Sequence, residues 1–461
     1  MKNKKILTII ITLFISSSIS LISSADLVIE HGTTQDVFVD DWHSLFPSAV
    51  NSSNGTWVVT YMYGDNHDDN DGVLNCVKSY DYGQTWSTPS LIRDSTLLPA
   101  GKTASGIIVR APNGTLVTGY MQARANKGGW SLSYDNGTTW HYQGIIDEGV
   151  TTEPSGMHVV NGTIYMCTSQ IYDCGGSGHY ISHLYTSADN GSSWTYVCAP
   201  DSGGVIAGDN EWDFIPINDT YFIACFREAP VAGHCWFAES FNAGVNWTNF
   251  TDRSSEFSNG FVQRPQFNWL NRDEGVIILS GRWMDGGTTM KTSYWISNDS
   301  CQTWYNWSVF SVGDSSYNDA GYTGFIEQDN SGFLVFYNGT KVTPPNASCP
   351  NIYGVMVYDN TSYPSQSETI QFISINGNTN GTTIYNSTPT INWTVVVDTS
   401  QYWLQIDNNA DFSSPEVNYT DINQWNYPSN CNINATRVLF TLPLGLTNYD
   451  TYYMRVRAYT R

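Results

Sequence analysis

The chain repeats one eight-residue pattern at a nearly constant interval. SYDYGQTW begins at Ser79, SYDNGTTW at Ser133, SADNGSSW at Ser187, SFNAGVNW at Ser240 and SNDSCQTW at Ser297, with starts 54, 54, 53 and 57 residues apart. Repetition at this period means a propeller or a solenoid, because each repeat is one supersecondary unit that buries its apolar face only against the next. The box itself is a turn: Asp or Asn accepts backbone N–H groups, Gly takes the left-handed position, and Trp is available to plug the neighbouring core. A worn sixth copy lies at VYDNTSY from Val357.

A second marker recurs independently. Turns at NGTW (Asn54), NGTL (Asn113), NGTI (Asn161) and NDTY (Asn218), with looser equivalents at Asp273 and Asn330, are flanked by alternating apolar residues and read as β-hairpins. Six hairpins, each followed about 20 to 25 residues later by a box, make six four-stranded units. Radial closure protects so many strand edges. The expected fold is therefore all-β: a six-bladed β-propeller over residues 26–365, with Asp36 to Asp41 completing the last blade. Residues 366–461 change pattern, and TPTINWTVVV, YWLQIDNNADFSSP and YDTYYMRVRAY read as strands of a separate β-sandwich.

Charge and composition limit the function. The chain carries 42 Asp and Glu against 20 Lys and Arg, a net charge of −22, which opposes binding to nucleic acid or anionic lipid. Residues 1–25 read as a secretory signal: Lys2, Lys4 and Lys5 precede an apolar run from Ile6 to Phe14, and Ser23-Ser24-Ala25 supplies the small-residue cleavage site. An uncleaved anchor is the alternative, since Ile6 to Ile22 is nearly long enough to span a bilayer. The expected location is secreted or cell-surface, with membrane contact only through an uncleaved signal or a missing C-terminal anchor. Of nine cysteines, Cys167 with Cys174 and Cys225 with Cys235 are the expected bridges, buried free thiols being the alternative. Neither cofactor nor metal is expected. His158, His179, His183 and His234 form no HExxH motif, and the loop YGDNHDDNDG fails the EF-hand register.

The boxes resemble the Asp-box (BNR) repeats of the sialidase (neuraminidase) superfamily, over the whole of residues 26–365. The C-terminal strands resemble the B, C and F strands of a fibronectin type III domain, and the chain ends where one more strand would follow, as in a truncated sandwich. The first resemblance implies an exo-glycosidase that releases a terminal sialic acid or a similar anionic sugar from a glycan. Sialidases use a Tyr nucleophile, with a Glu as its base, an Asp as acid/base and three Arg holding the substrate carboxylate. Carried over, this implies Tyr322 in GYTGFIEQDNSGFLVFYNG as nucleophile, Glu211 as base and Asp68, with Asp69 and Asp71 close by, as acid. Arg227, 16 residues after Glu211 in DNEWDFIPINDTYFIACFRE, matches the second arginine. Arg282, Arg264 and Arg124 are candidates for the rest of the anion site.

One position departs from the family pattern. The first arginine belongs to an Arg-Ile-Pro triplet, and here the chain reads Leu45-Phe46-Pro47. Leucine cannot make the bidentate contact to a carboxylate. That departure favours a second function, a non-catalytic Asp-box propeller that binds glycan or protein; a third is a different hydrolase or lyase on the same propeller, using Asp68, Glu153 and Glu211 as carboxylates. Trp130, Trp212, Trp236 and Trp283 are candidate stacking platforms for sugar rings.

Overall fold

The structure, a computed structural model, describes residues 7–9, 27–65, 72–93, 103–122, 127–147, 153–172, 179–206, 208–228, 234–257, 261–284, 291–310, 319–340, 342–361, 372–375, 383–384, 390–394, 399–407, 417–422, 431–433, 437–441 and 451–460. Asp68, Asp69, Asp71, Arg124 and Cys174 lie outside these residues. Apart from a short 3-10 turn at Ser254–Phe257, the described elements are strands.

Leu27–Thr361 forms one compact unit. Within it the chain makes six antiparallel sheets in sequence order. Their innermost strands are His43–Asn51, Thr103–Arg110, Glu153–Val160, Asp209–Pro216, Phe261–Asn271 and Asp319–Gln328. Each innermost strand packs against that of the next sheet, and the sixth packs against the first, so the sheets close into a six-bladed propeller. The N-terminal segment completes the ring. Gln35–Phe38 and Ile29–His31 both pair with Asn351–Asp359 of the sixth blade, Asp36 facing Tyr353.

The repeated box makes the turn between the third and fourth strands. In the first copy Ser79 Oγ donates to Asp81 Oδ1 (2.8 Å) and accepts from Gly83 N (2.8 Å), while Thr85 N donates to Asp81 Oδ1 (2.9 Å). Gly83 has φ 84°. The same bonds recur on Asp135, Asp189, Asn242 and Asp299. In the fifth copy Cys301 replaces Gly and holds φ 63°, at the strain expected of a non-glycine residue there. The box tryptophans wedge between blades. Trp86 stacks on Phe333 of the sixth blade, ring centroids 6.0 Å apart, and Trp304 joins the core shared by the fourth and fifth blades. In the worn sixth copy Asp359 accepts from Thr361 N (3.1 Å) and Asn271 Nδ2 (2.9 Å), and the end of the copy lies outside the described residues.

Every innermost strand breaks register at one level. The slips fall at Leu45/Ser48, Ala104/Ile107, Pro154/Gly156, Asp209/Trp212, Gln263/Gln266 and Gly321/Thr323. A β-bulge bends its strand and re-aims a side chain. Three bulge residues, Phe46, Arg264 and Tyr322, have positive φ of 55°, 48° and 38°. Just past the bulges, polar groups stitch blade to blade: Ser48 Oγ accepts from Ile108 N (3.1 Å), Ser155 Oγ donates to Trp212 O (2.7 Å), and Asp213 Oδ2 accepts from Phe267 N (2.8 Å).

The second compact unit consists of Met1–Asp26 and Ser362–Arg461. It contains two sheets. One runs Thr383–Ile384, Leu7–Ile9, Thr451–Thr460, Thr399–Asp407, Val417–Ile422, and the other Phe372–Ile375, Thr390–Thr394, Arg437–Thr441, Cys431–Ile433. Leu7–Ile9, inside the segment read as an address, pairs parallel with Thr451–Thr460. Leu404 and Ile406 are buried two residues apart on one strand, the period expected of a face packed inward.

The expected Cys225–Cys235 bridge is absent. Both thiols are free and buried. Cys225 pairs with Phe237 and Cys235 with Arg227, so the two cysteines sit diagonally rather than opposite each other. Cys167 is likewise a buried free thiol.

The boxes also set an acid limit on stability. Hydrogen bonds from Ser193 and Ser187 hold the Asp189 carboxyl down at about 2, against an ordinary 3.8. A depressed folded-state value means the turn is stabilised above the ordinary value and loses that support as pH falls toward 2. The melting-temperature gap between wild type and Asp189→Ala should therefore be full at neutral pH and narrow progressively below pH ~4.

Candidate active site

Bulges on the fourth, fifth and sixth blades bring three candidates together on the propeller axis. Glu211 lies in the bulge of Asp209–Pro216 and is 3% exposed. Its Oε2 accepts from Arg227 Nη1 (2.5 Å) and from the backbone N of Arg264 (3.2 Å). The Tyr322 phenol is near enough to act on the Glu211 carboxylate. Burial alone would raise Glu211; Arg227, the Tyr322 phenol and Arg264 outweigh it and hold the carboxyl below its ordinary value. Glu211 is thus an ionised carboxylate beside a phenol.

Tyr322 is buried, and burial followed by the Glu211 charge pushes its phenol well up; Arg227 and Arg282 act in the opposite direction. The Arg264 and Arg282 guanidinium carbons lie 5.2 and 4.6 Å from its ring centroid. On its other side Phe46 packs at 5.2 Å. Glu153, from the third blade, acts electrostatically on both Tyr322 and Arg227.

The three described arginines differ in accessibility. Arg227 keeps 21% of its side chain exposed beside the buried Glu211. Arg264 is 1% exposed, and its Nη2 reaches Pro154 O at 3.5 Å. Arg282 is 4% exposed, with Nε on Ala320 O (2.5 Å), Nη1 on Gln263 Oε1 (3.0 Å) and Nη2 on the Tyr337 hydroxyl, 3.5 Å from Asp319 Oδ1. Leu45 is fully buried and belongs to the apolar cluster that holds Phe46, Tyr322 and Tyr337. Where the resemblance implies a guanidinium, the protein has a hydrocarbon wall.

The tryptophan platforms are core side chains. Trp130, Trp212 and Trp283 are buried, and their indole N–H groups donate to the carbonyls of Gly191 (2.8 Å), Thr168 (3.0 Å) and Phe257 (3.1 Å). Trp236 is half-buried and donates to Glu228 Oε2 (3.2 Å). No group of three or more His, Cys, Asp or Glu suited to a metal ion occurs among the described residues. Sequence reasoning did not anticipate Phe46 and Tyr337 as partners of Tyr322, or Asp319 beneath them. Proline carried a signal for the bulges, since Pro47, Pro154 and Pro265 stand at or beside them on innermost strands, where proline is otherwise excluded.

A closed six-bladed propeller with a Tyr–Glu–Arg cluster at its axis has the fold of the sialidases. Residues 55–261 match the BNR repeat-like domain. No curated protein matches the chain. Among solved structures, a protein of unknown function from Dyadobacter fermentans shares 19% identity at a TM-score of 0.59, covering 72% of this chain and 99% of its own. A Hadza microbial sialidase shares 15% at 0.53, over 68% of this chain and 65% of its own. An alpha-L-arabinofuranosidase from Fusarium graminearum shares 13% at 0.50, over 71% of this chain and 98% of its own. At these identities the likeness is one of fold.

The Glu211–Arg227 pair should matter to stability as well as to chemistry. Glu211→Gln leaves the Arg227 charge without its partner and should cost about 2 kcal/mol in urea denaturation. That is below the ~3–5 kcal/mol of a fully buried pair, because Arg227 keeps some contact with solvent.

Proposed function

We propose that the protein is a sialidase-type exo-glycosidase in which Tyr322 is the nucleophile and Glu211 its base, removing a terminal sialic acid or similar anionic sugar from a glycan. The observation that carries this reading is the buried Tyr322 phenol beside a buried Glu211 carboxylate that Arg227 and Arg264 hold ionised. A phenol buried among aromatics is a poor nucleophile until something removes its proton, and Glu211 is placed to take it.

In the first step the Tyr322 oxygen bonds to the anomeric carbon as the glycosidic C–O bond breaks. The phenol proton passes to Glu211, and the leaving oxygen takes a proton from a carboxylic acid, the role the resemblance gives to Asp68. Water then attacks the anomeric carbon, giving one proton to that carboxylate, while the Tyr322 oxygen leaves and recovers its proton from Glu211. A neutral phenol approaches a carboxylate-bearing sugar with less charge repulsion than an aspartate would. Arg227, the most exposed of the three described arginines in the cluster, is the residue proposed to hold the sugar's carboxylate.

The buried Leu45 favours a second reading, a propeller that binds glycan or protein without cleaving it. We also propose that the chain is exported by residues 1–25 and acts outside the cell or at its surface, with the C-terminal strands forming a fibronectin type III-like domain. The purified protein should release 4-methylumbelliferone from its α-N-acetylneuraminide. Tyr322→Phe should reduce this by about a thousandfold or more while leaving the far-ultraviolet circular dichroism unchanged. Wild-type protein that binds sialosides without turning them over would establish the second reading instead.

A further inference from the structure

Given Tyr322 as the nucleophile, we infer that Arg282 is a positioning residue rather than a ligand of the substrate: its guanidinium lies against the Tyr322 ring, fixes it, and stabilises the negative charge that arises on the phenol oxygen during attack. The resemblance casts Arg282 as part of a clamp on the sugar's carboxylate. Such a clamp needs paired N–H groups turned toward the ligand. In Arg282 all three nitrogens already donate within the protein, to Ala320 O, to Gln263 Oε1 and to the Tyr337 hydroxyl. The side chain is 4% exposed.

What the guanidinium does face is aromatic. Its carbon is 4.6 Å from the Tyr322 ring centroid and 5.9 Å from that of Tyr337. A cation against a phenol ring is attracted to the neutral ring and more strongly to the phenolate, so it favours the charge-separated state over the resting one. The supports are built for that task. Asp319, fully buried, lies 3.5 Å from Arg282 Nη2 and accepts from the Tyr337 hydroxyl at 3.0 Å, so the buried cation has a counter-charge of its own, to which Glu211 adds. Gly321 has φ 96°, and a Cβ there would stand 2.3 Å from Arg282 Cβ, so only glycine lets the two strands come this close. The other charged groups acting on Tyr322 are Glu211, Arg227 and Glu153, with Arg264 at 5.2 Å from its ring. Glu211 and Glu153 raise the phenol, and Arg227 and Arg282 lower it.

Two measurements separate this role from a clamp and from mere support. Arg282→Lys keeps a charge but cannot span Ala320, Gln263 and Tyr337. It should lower kcat for the sialoside by about thirtyfold or more while the Kd for free N-acetylneuraminic acid stays within about threefold, whereas Arg227→Lys should raise that Kd by about tenfold. A Kd raised about tenfold by Arg282→Lys with kcat unchanged would make Arg282 a clamp and overturn the inference. The second measurement needs no turnover. With 3-fluorotyrosine incorporated at position 322, its 19F resonance reports the phenol's titration. Pairing Arg282→Gln with Asp319→Asn keeps the buried network neutral and should move that titration up by about one pH unit or more. An unmoved titration would overturn the inference whatever the substrate. Failure of the wild type to cleave any sialoside, with the titration moved as expected, would count against the proposed function and leave the electrostatic role of Arg282 standing.

Discussion

Six innermost strands converge on one axis, and each gives up a rung of its ladder at the same level. That shared bulge is the constraint from which the site follows. A regular strand would turn alternate side chains into the two neighbouring blades and leave the axis lined by backbone. At the bulges of the fourth, fifth and sixth blades stand Glu211, Arg264 and Tyr322, which are far apart in sequence yet meet here: the Arg264 backbone N donates to Glu211, and its guanidinium lies over the Tyr322 ring. The cost is backbone strain, seen as positive φ at Phe46, Arg264 and Tyr322. Close packing and stitching between blades hold that strain in place: Gly324 leaves room for the Ser48 backbone of the first blade, and Ser280 bonds Thr323 at 2.8 Å.

Charge balance is the second constraint. Arg227, Arg264 and Arg282 are gathered where burial disfavours every charged form, and Glu211, Glu153 and Asp319 are gathered with them. Each carboxylate takes a different part. Asp319 is sealed beneath Arg282, Glu211 is shared between Arg227 and the Tyr322 phenol, and Glu153 approaches from the third blade. Without these partners three buried cations would cost far more than the fold can supply. The scarcity of basic residues in the chain makes their concentration here more telling than the abundant acids on its surface.

Much of this was legible in the sequence, and the reason differs between parts. The blades were readable because both turn markers depend on local chemistry: Asp81 and Asn54 act within a few residues of themselves, so a short window contains the whole cause. Glu211 and Arg227 were readable because they sit on adjacent strands of one hairpin, where spacing along the chain fixes spacing in space. The surroundings of Arg282 were not legible, since its partners Asp319 and Tyr337 come from another blade and no spacing rule links them. The Cys225–Cys235 bridge failed for a related reason: a hairpin brings two cysteines near each other, but the register sets them diagonally, with Phe237 opposite Cys225.

Leu45 ties these strands of argument together. It belongs with Val59, Met62 and Tyr61 to the apolar cluster that also holds Tyr322 and Tyr337. An arginine there would need both an anion and a solvated path for its head group, and the cluster provides neither. Replacing that arginine by hydrocarbon while Arg282 turns inward to Asp319 leaves Arg227 as the most exposed cation of the described cluster. A single partly exposed guanidinium, already bonded to Glu211, can orient a carboxylate but holds it less tightly than a three-sided clamp. On the proposed function, the rest of the sugar supplies the remaining binding strength, and the cluster serves to activate Tyr322 more than to grip the substrate's charge.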